Sequence, residues 1–459
     1  MATLVNYDAV KMQPVLFNAP VMTNGFRDPS FAKNKTLPLH RWVPWVAGFS
    51  AEFVQDCLQI YLQNPSTKSW VLDPFAGVGT TLVESYVSGL NVMGFEINPY
   101  AALATQLKLQ SAQVPLVQMI REIERFERFM RRTETGSLKS EPHSLPPEGF
   151  RGRTQLFSPS VERKVLYALD LIHRMEDPTL KDIFRLGFGS VMVGFSNYSY
   201  EPSLTRRAAV NKPNIVDANV GLEISAKLRL MAQDIEWLQA RMKCFEHDPD
   251  RKVIPQTIFS ASTLVDQCDF VDLVVTSPPY LNNYHYPRNT RPQLHWLGFT
   301  SGTGYSGARE GESFGKFWQT VRESDPIHLS FNMPDLSETI ESIRKKNADR
   351  GAYGGPGWAN YVATYFNDCY RFCSLLARLL KRNAPAIIVL GNSIIQGVEV
   401  KTDQVFGQIG ALAGLSFEDT HLLRKKRTGS SIIQSSIRAD RPAKKAALYE
   451  SAIVLRRLE

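Results

Sequence analysis

Apolar runs separated by short polar turns organise most of the chain. Trp70-Val-Leu-Asp73 and Asn91-Val-Met-Gly-Phe-Glu96 are short apolar runs typical of buried strands, and the residues between them predict a turn over 74–79 and a helix over 80–88. Similar apolar runs predict further strands over 257–260, 270–276, 385–390 and 450–455. Strands that alternate with helices in this way favour an α/β fold with a mostly parallel sheet.

Helical spacing of apolar residues marks much of the rest. Phe53, Val54, Cys57, Leu58 and Tyr61 recur on one helical face, and Ser50 is the predicted N-cap. Further helical patterns cover about 99–132, a block from about 157 to 243, about 358–381 and about 402–413. Residues 1–35 show no period and predict a loosely structured arm, and the polar stretch 132–157, which contains Pro, Gly and Ser, predicts a linker or exposed loop.

Composition narrows the class of protein. The chain has 459 residues, of which 43% are hydrophobic and 21% charged, and no apolar stretch approaches the ~18 residues of a membrane span. The first residues lack a basic segment followed by an apolar core, so no signal peptide is expected. Five scattered cysteines without a C-x-x-C pair argue against a disulfide framework or a structural zinc site. We therefore expect a cytoplasmic protein without a metal.

The formal net charge is +8, and most of it lies in one segment. Residues 421–445 hold eight Lys or Arg residues and a single acid, Asp440. Such a cluster suits contact with a phosphate backbone, and a merely solvated charged face is the alternative.

The turn after the first strand has the sequence Asp73-Pro-Phe-Ala-Gly77-Val-Gly79-Thr-Thr81. Gly77 and Gly79 allow a ligand to approach the backbone closely, and free N–H groups at the start of the following helix face the same point. The phosphate-binding lysine motif and the G-x-G-x-x-G spacing are both absent, which favours an amino-acid-like ligand. Glu96, which ends the next strand, is placed to accept both ribose hydroxyls of an adenosyl group, and Asn98 shapes the turn beneath it.

A second polar string, Thr276-Ser277-Pro278-Pro279-Tyr280, follows a later strand. An acceptor at position 277 and the Pro278 carbonyl can bind the two hydrogens of an exocyclic amine and direct its lone pair at a methyl carbon. The prolines stiffen the loop, and Tyr280 offers a flat face for an extruded base. No Pro-Cys pair occurs in the chain, which argues against attack at the cytosine ring carbon.

Residues 40–108, with DPFAGVGTT and Gly94-Phe-Glu-Ile-Asn-Pro99, and residues 268–298 resemble the amino-group DNA methyltransferases. The resemblance implies a Rossmann-like class I methyltransferase sheet with helices on both faces and a mostly helical insertion. It also implies S-adenosylmethionine as cofactor and double-stranded DNA as substrate, with a cognate restriction endonuclease acting separately. In that family the segment before the glycine turn contacts the methionine portion of the cofactor. The candidate cofactor residues are Phe53, Asp73, Phe75, Ala76, Gly77, Gly79, Thr80, Thr81, Glu96 and Asn98, and the candidate catalytic residues are Ser277, Pro278, Pro279 and Tyr280.

The order of the two motifs predicts how the chain is divided. Residues 1–35 form the arm, 36–109 the cofactor-binding half, 110–250 an insertion that is the candidate target-recognition region, and 251–459 the catalytic half. The predicted third-strand element, 258–262, lacks the acid often found near the adenine of the cofactor. Candidate DNA-binding residues are Arg206, Arg207, Tyr284, Arg288, Arg291, Arg424, Lys425, Lys426 and Arg427.

Within this family, enzymes that have serine at the position of Ser277 mostly methylate cytosine N4, whereas those with Asp or Asn there mostly methylate adenine N6. The sequence therefore predicts N4 methylation of cytosine in a short duplex site. Adenine N6 is the closest alternative, followed by an RNA base. A non-catalytic DNA-binding protein with a degenerate cofactor pocket is the alternative from a different class.

Overall fold

A central sheet of seven strands organises the computed structural model, which describes residues 26–27, 31–45, 48–138, 140–148, 155–201, 203–282, 286–300, 311–426 and 448–458. The strands are β1 (Trp70–Asp73), β2 (Asn91–Phe95), β5 (Arg251–Ile254), β6 (Leu273–Thr276), β7 (Pro385–Gly391), β10 (Leu415–Lys426) and β11 (Leu448–Arg457). They lie in the order β10-β11-β7-β6-β1-β2-β5. Strand β11 is antiparallel to both of its neighbours, and the other pairs are parallel. Two hairpins are separate from this sheet: β3 (Tyr198–Tyr200) with β4 (Leu204–Arg206), and β8 (Ser393–Ile395) with β9 (Val398–Val400).

Helices cover both faces of the sheet, because successive residues of each buried strand point to opposite sides. Val71 and Val275 pack with the helix α1 (Ala51–Tyr61) on one face. Leu72 and Val274 pack with the helix Gly355–Leu379 on the other. This layered, mostly parallel sheet confirms the predicted Rossmann-like class I methyltransferase fold.

The long segment between the two motifs is mostly helical, as predicted. Its helices share one apolar core with α2 (Thr80–Tyr86) and α3 (Pro99–Gln110), beside the sheet. They are α4 (Leu116–Glu134), α5 (Pro159–His173), α6 (Pro178–Val191) and α7 (Val220–Met242). The described residues between α4 and α5 form no helix or strand, in agreement with the predicted loop.

The remaining helices belong to the second half of the chain. Ser50 caps α1 by accepting a hydrogen bond from the Phe53 N–H, as the sequence predicts. No described helix is long and apolar enough to cross a bilayer. The other helices are Ala261–Leu264, Tyr286–Trp296, Trp318–Val321, Pro334–Arg344 and Thr402–Leu412, and short 3-10 helices cover Phe31–Lys35, His40–Trp42, Ser111–Gln113, Arg207–Val210, Ile258–Ser260 and Ala348–Tyr353.

The predicted strand over 257–260 is wrong. Thr257 caps a 3-10 helix over Ile258–Ser260, and the third strand is Arg251–Ile254 instead. This strand lies at the edge of the sheet, so Arg251 and Lys252 remain partly or fully exposed and the run lacks the apolar character of a buried strand. The missing acid noted at 258–262 therefore does not concern the end of the third strand.

Candidate active site

The two motifs meet at the carboxyl edge of the sheet. Strands β1 and β6 are parallel neighbours, so Asp73 and Thr276 end them side by side. The Thr276 hydroxyl donates to Oδ1 of Asp73 at 2.6 Å, and the Phe75 N–H donates to the same oxygen at 3.0 Å. Burial raises the pKa of Asp73 to about 6, although these hydrogen bonds favour the charged form. Asp73 therefore joins the glycine turn to the Ser-Pro-Pro-Tyr loop.

The glycine turn has left-handed backbone angles that residues with a side chain rarely adopt. Gly77 and Gly79 have φ of 53° and 85°. A Cβ on Gly77 would lie 3.3 Å from Nε1 of Trp45, and one on Gly79 would lie 2.8 Å from Cγ2 of Thr105. Helix α3 supports the turn from behind.

Two side chains of α3 hold carbonyls of this turn. The Thr105 hydroxyl donates to the Gly77 carbonyl at 2.9 Å, and Nζ of Lys108 donates to the Val78 carbonyl at 2.7 Å. Burial lowers the pKa of Lys108 to about 7. The turn is thus fixed from one side, and Gly77 stays partly exposed on the other.

Glu96 follows strand β2 and faces the glycine turn. Its Oε2 accepts from the Gly77 N–H and its Oε1 from the Asn98 N–H, both at 2.7 Å. Burial raises the pKa of this carboxyl to about 7. Each of the two carboxylate oxygens has a further lone pair, so the Glu96 carboxylate can accept two more hydrogen bonds.

Asn98 fixes the residues below Glu96. Its side-chain oxygen accepts from the N–H groups of Tyr100 and Ala101 at the start of α3, and its Nδ2 donates to the Thr290 hydroxyl at 2.8 Å. Asn98 therefore caps α3 and links it to the helix that follows the Ser-Pro-Pro-Tyr loop.

The Ser-Pro-Pro-Tyr loop is held at the carbonyls on either side of its tyrosine. The Tyr365 hydroxyl donates to the Pro279 carbonyl at 3.1 Å, and the Ser393 hydroxyl donates to the Leu281 carbonyl. A Cβ on Gly391 would lie 3.4 Å from the Tyr280 ring, so the ring packs beside the backbone of Gly391, where no side chain intervenes. Oγ of Ser277 lies 3.5 Å from the Tyr280 hydroxyl. Ser277 and Tyr280 are both partly exposed.

These residues fit an adenosyl cofactor with an amino-acid end. Phe75, Gly77 and Glu96 are partly exposed at the same sheet edge as Ser277 and Tyr280. The carboxylate suits two hydroxyl donors, and the glycine turn leaves room for close approach. No group of three or more His, Cys, Asp or Glu side chains in the described part of the chain could hold a metal ion.

Comparison with known proteins finds relatives that align with most of the chain. No family model matches the chain. It is 23% identical over 422 residues to the type II methyltransferase M.AvaI of a Nostoc species, covering 88% of this chain and 84% of that one. It is 26% identical over 287 residues to M.BsoBI of Geobacillus stearothermophilus, covering 59% and 54%, and 21% identical over 380 residues to M.MvaI of Kocuria varians, covering 81% and 80%. Relatives that cover most of the chain are thus type II methyltransferases.

Among solved structures, the chain is similar to the rRNA methyltransferase AviRa of Streptomyces viridochromogenes. The TM-score is 0.30 and the identity is 10%, and the alignment covers 90% of this chain and 87% of that one.

Several candidate cofactor residues of the methyltransferase are buried. The Phe53 side chain is fully buried, with its ring 5.2 Å from that of Phe26 and 5.7 Å from that of Phe49. The Thr81 hydroxyl donates to the Val275 carbonyl at 3.1 Å. Ala76 and Thr80 are also buried. These side chains pack behind the turn, and their contact with a cofactor stays a prediction.

The candidate DNA-binding residues fall into three groups. Arg206 ends β4 and Arg207 begins the 3-10 helix Arg207–Val210, both partly exposed. Nε of Arg207 donates to the Pro213 carbonyl. Arg288 and Arg291 are exposed on the helix Tyr286–Trp296. The C-terminal cations Arg424, Lys425 and Lys426 form the end of β10, while Tyr284 and Arg427 lie outside the described residues.

The end of β10 lies at the same sheet edge as the active site. Strand β11 lies between β10 and β7. Arg424 of β10 pairs with Glu450 of β11, and Glu450 pairs with Gly391 of β7. The Tyr280 ring lies beside Gly391. Arg424 forms an ion pair with Glu450, and Lys425 is exposed. The described start of the basic segment, at the end of β10, therefore lies at the same sheet edge as the Ser-Pro-Pro-Tyr loop.

Sequence reasoning missed three residues that hold this site. Trp45 lies over the glycine turn, Tyr365 donates to the loop from a buried helix, and Ser393 donates from the β8–β9 hairpin. Tyr365 sits in an apolar helical pattern that predicts only a core residue. Ser393 lies just beyond the predicted strand over 385–390, where a serine is also typical of a plain turn.

Proposed function

We propose that the chain transfers a methyl group from S-adenosylmethionine to the N4 amine of cytosine in a specific sequence of duplex DNA. The observation that carries this proposal is the hydrogen bond between Asp73 and Thr276, which joins an adenosyl-type turn to a Ser-Pro-Pro-Tyr loop. The type II methyltransferases that the chain resembles support DNA as the substrate.

The glycine turn and Glu96 are the proposed cofactor site. When bound, S-adenosylmethionine supplies an electrophilic methyl group. The Glu96 carboxylate accepts the ribose hydroxyls, and the backbone at Gly77 approaches the amino-acid end, since that turn carries no side chain there. Trp45, which lies beside Gly77, closes this side of the site.

Ser277 and the Pro278 carbonyl are the proposed acceptors for the target amine. Cytosine delocalises its N4 lone pair into the ring, so the amine is a weak nucleophile. Two hydrogen bonds to its hydrogens favour a tetrahedral nitrogen and direct the lone pair outward. Tyr280 stacks on the flipped base, and the rigid loop keeps both acceptors in register.

The neutral hydroxyl at position 277 favours cytosine. No carboxylate is supplied by the loop itself, and Asp73 is already bonded to Thr276 and the Phe75 N–H. We assign the helical segment 110–250 to recognition of the DNA sequence, because it lies between the two motifs in the chain and shares a core with helices α2 and α3. A separate restriction endonuclease and a cytoplasmic location remain predictions.

Transfer of a radiolabelled methyl group to duplex DNA tests the proposal. Ser277→Ala and Tyr280→Ala are expected to abolish turnover while calorimetry shows unchanged affinity for S-adenosylmethionine. Lys68→Ala, at the amino end of β1 and so at the opposite sheet edge, is the matched control and retains full activity. Turnover that survives both loop substitutions would contradict the catalytic assignment.

A further inference from the structure

A cavity of about 510 Å³ lies apart from the Ser-Pro-Pro-Tyr loop, between the helical segment and the end of the helix Tyr286–Trp296. Its wall includes His143, His173 and His295 together with Arg174 and Trp296. The first half of the chain supplies the loop at 143–147 and the end of α5, and the second half supplies residues 295–298. None of the candidate residues from the sequence lies in its wall.

The wall is rich in hydrogen-bond donors. Trp296 is only 6% exposed, and its indole N–H donates to no atom of the described residues. An indole N–H is a donor only, so a ligand that satisfies it must present an acceptor. Arg174 is exposed and is held by no ion pair within the described ranges.

Arg174 is the cation among the described lining residues of the cavity, apart from its histidines. Asp170 is the acid among its described lining residues, and its two oxygens accept the N–H groups of Ser144 and His143 at 2.6 and 2.8 Å. Burial, and then the nearby cations Lys181 and Arg185, lower the pKa of His173. The cavity therefore offers one arginine and one unmatched indole N–H, while its acid already accepts two backbone N–H groups, and this set suits an acceptor such as a phosphate group.

One helix connects this cavity to the proposed active site. The helix Tyr286–Trp296 begins shortly after Tyr280 and ends in the cavity wall. Arg288, Arg291 and His295 lie three or four residues apart, so they share one side of this helix. Eleven helical residues span roughly 16 Å, or about five base pairs of duplex DNA.

We propose that the cavity binds a backbone phosphate of the DNA, about five base pairs from the target base, with Arg174 and the Trp296 N–H as its main donors. Arg288 and Arg291 lie along the path of the strand between this phosphate and the flipped base. The inference rests on duplex DNA being the substrate. It adds an anchor that the segment 110–250 shares with the helix Tyr286–Trp296, separate from the basic end of β10.

Fluorescence anisotropy with two duplexes tests the anchor. Both carry the sequence that the chain methylates, but one extends about twelve base pairs to each side of the target base and the other about three. Arg174→Ala and Trp296→Phe are compared with Lys68→Ala in the full chain. Calorimetry with S-adenosylmethionine shows whether each variant is folded.

Arg174→Ala is expected to raise the Kd for the long duplex about tenfold. It is also expected to lower the salt slope of that binding by about one, and to leave the short duplex unaffected. Trp296→Phe raises the Kd in the same length-dependent way, and Lys68→Ala changes neither duplex.

Three outcomes would overturn the anchor. Equal losses on both duplexes, or no loss on either, contradict a phosphate contact distant from the target base. Saturable binding of inorganic phosphate that Arg174→Ala abolishes, without a difference between the duplexes, assigns the cavity to a free anion. If the wild-type chain binds neither duplex, the proposed function is overturned together with the anchor. If it binds both duplexes and only the length-dependent loss is missing, the anchor alone is overturned.

Discussion

The Thr276 hydroxyl donates a 2.6 Å hydrogen bond to the Asp73 carboxylate, although the two residues are 203 positions apart in the chain. Both end parallel strands in the middle of the sheet, and Asp73 is 1% exposed. The glycine turn and the Ser-Pro-Pro-Tyr loop are therefore attached to the same edge of the sheet.

Thr276→Val is expected to lower the free energy of unfolding by about 1–3 kcal/mol at pH 8, because it leaves a buried carboxylate with one partner fewer. The pKa of Asp73 is raised to about 6 by burial, so the folded state binds the proton more tightly than the unfolded state. This group therefore makes the protein less stable as pH rises from about 4 to 6. The loss in Thr276→Val should be smaller at pH 5, where Asp73 is mostly protonated.

Urea denaturation of both proteins at pH 5 and pH 8 measures this difference. Asp73→Asn keeps an acceptor for the Thr276 hydroxyl and removes the titrating group, so it should reduce the pH dependence of stability. A loss in Thr276→Val that is the same at both pH values would show that Asp73 does not carry the effect.

The affinity for S-adenosylmethionine is expected to rise with pH through about 7. Burial raises the pKa of Glu96 to about 7, and only the ionised carboxylate accepts both ribose hydroxyls. Below that pH the Kd should increase by up to about tenfold per unit, since one proton must be released on binding. Calorimetry from pH 5.5 to 8.5 measures the profile. Glu96→Gln should bind weakly with a flat profile, and an unchanged slope in that variant would exclude Glu96 as the titrating group.

Gly77→Val is expected to abolish cofactor binding. The residue has φ of 53° and its Cβ would lie 3.3 Å from Nε1 of Trp45, so a branched side chain strains the turn and crowds the proposed site. Gly136 also has a positive φ, of 65°, but its Cβ would meet no heavy atom within 4 Å. Gly136→Val is thus a matched control for backbone strain alone, and retained cofactor affinity in Gly77→Val would contradict the proposed pocket.

Tyr365→Phe and Ser393→Ala are expected to lower kcat roughly tenfold, each by removing one hydrogen bond that fixes a carbonyl beside Tyr280. Because neither residue belongs to the glycine turn, the Kd for S-adenosylmethionine should stay the same. Ser374→Ala removes a hydroxyl that bonds only its own helix among the contacts described, and serves as the control for Ser393→Ala. A parallel loss of cofactor affinity and kcat would indicate general unfolding.

The sequence predicts the parts of this site that depend on local pattern. The central strands are apolar and the turns between them have restrictive residues, so β1, β2 and the glycine turn are confirmed close to their predicted bounds. Strand β5 was missed because an edge strand need not be apolar, and the neighbouring run at 257–260 matched the expected pattern better.

Contacts between distant segments could not be predicted in the same way. Tyr365 reaches the Pro279 carbonyl across 86 positions, and nothing in its own helix distinguishes it from a core aromatic residue. The strand β10 includes the start of the basic cluster, whose charge masked its β-structure, and its pairing with β11 places Arg424 opposite Glu450. Such pairings arise from the order of strands in the sheet, which local periodicity does not specify.

Mass spectrometry of nucleosides tests the central claim most directly. DNA is isolated from cells that express the wild-type chain or Ser277→Ala, digested, and analysed for methylated bases. We predict N4-methylcytosine with the wild-type chain and none with the variant. N6-methyladenine in its place, or N4-methylcytosine that persists in Ser277→Ala, would contradict the assignment of Ser277 to the cytosine amine.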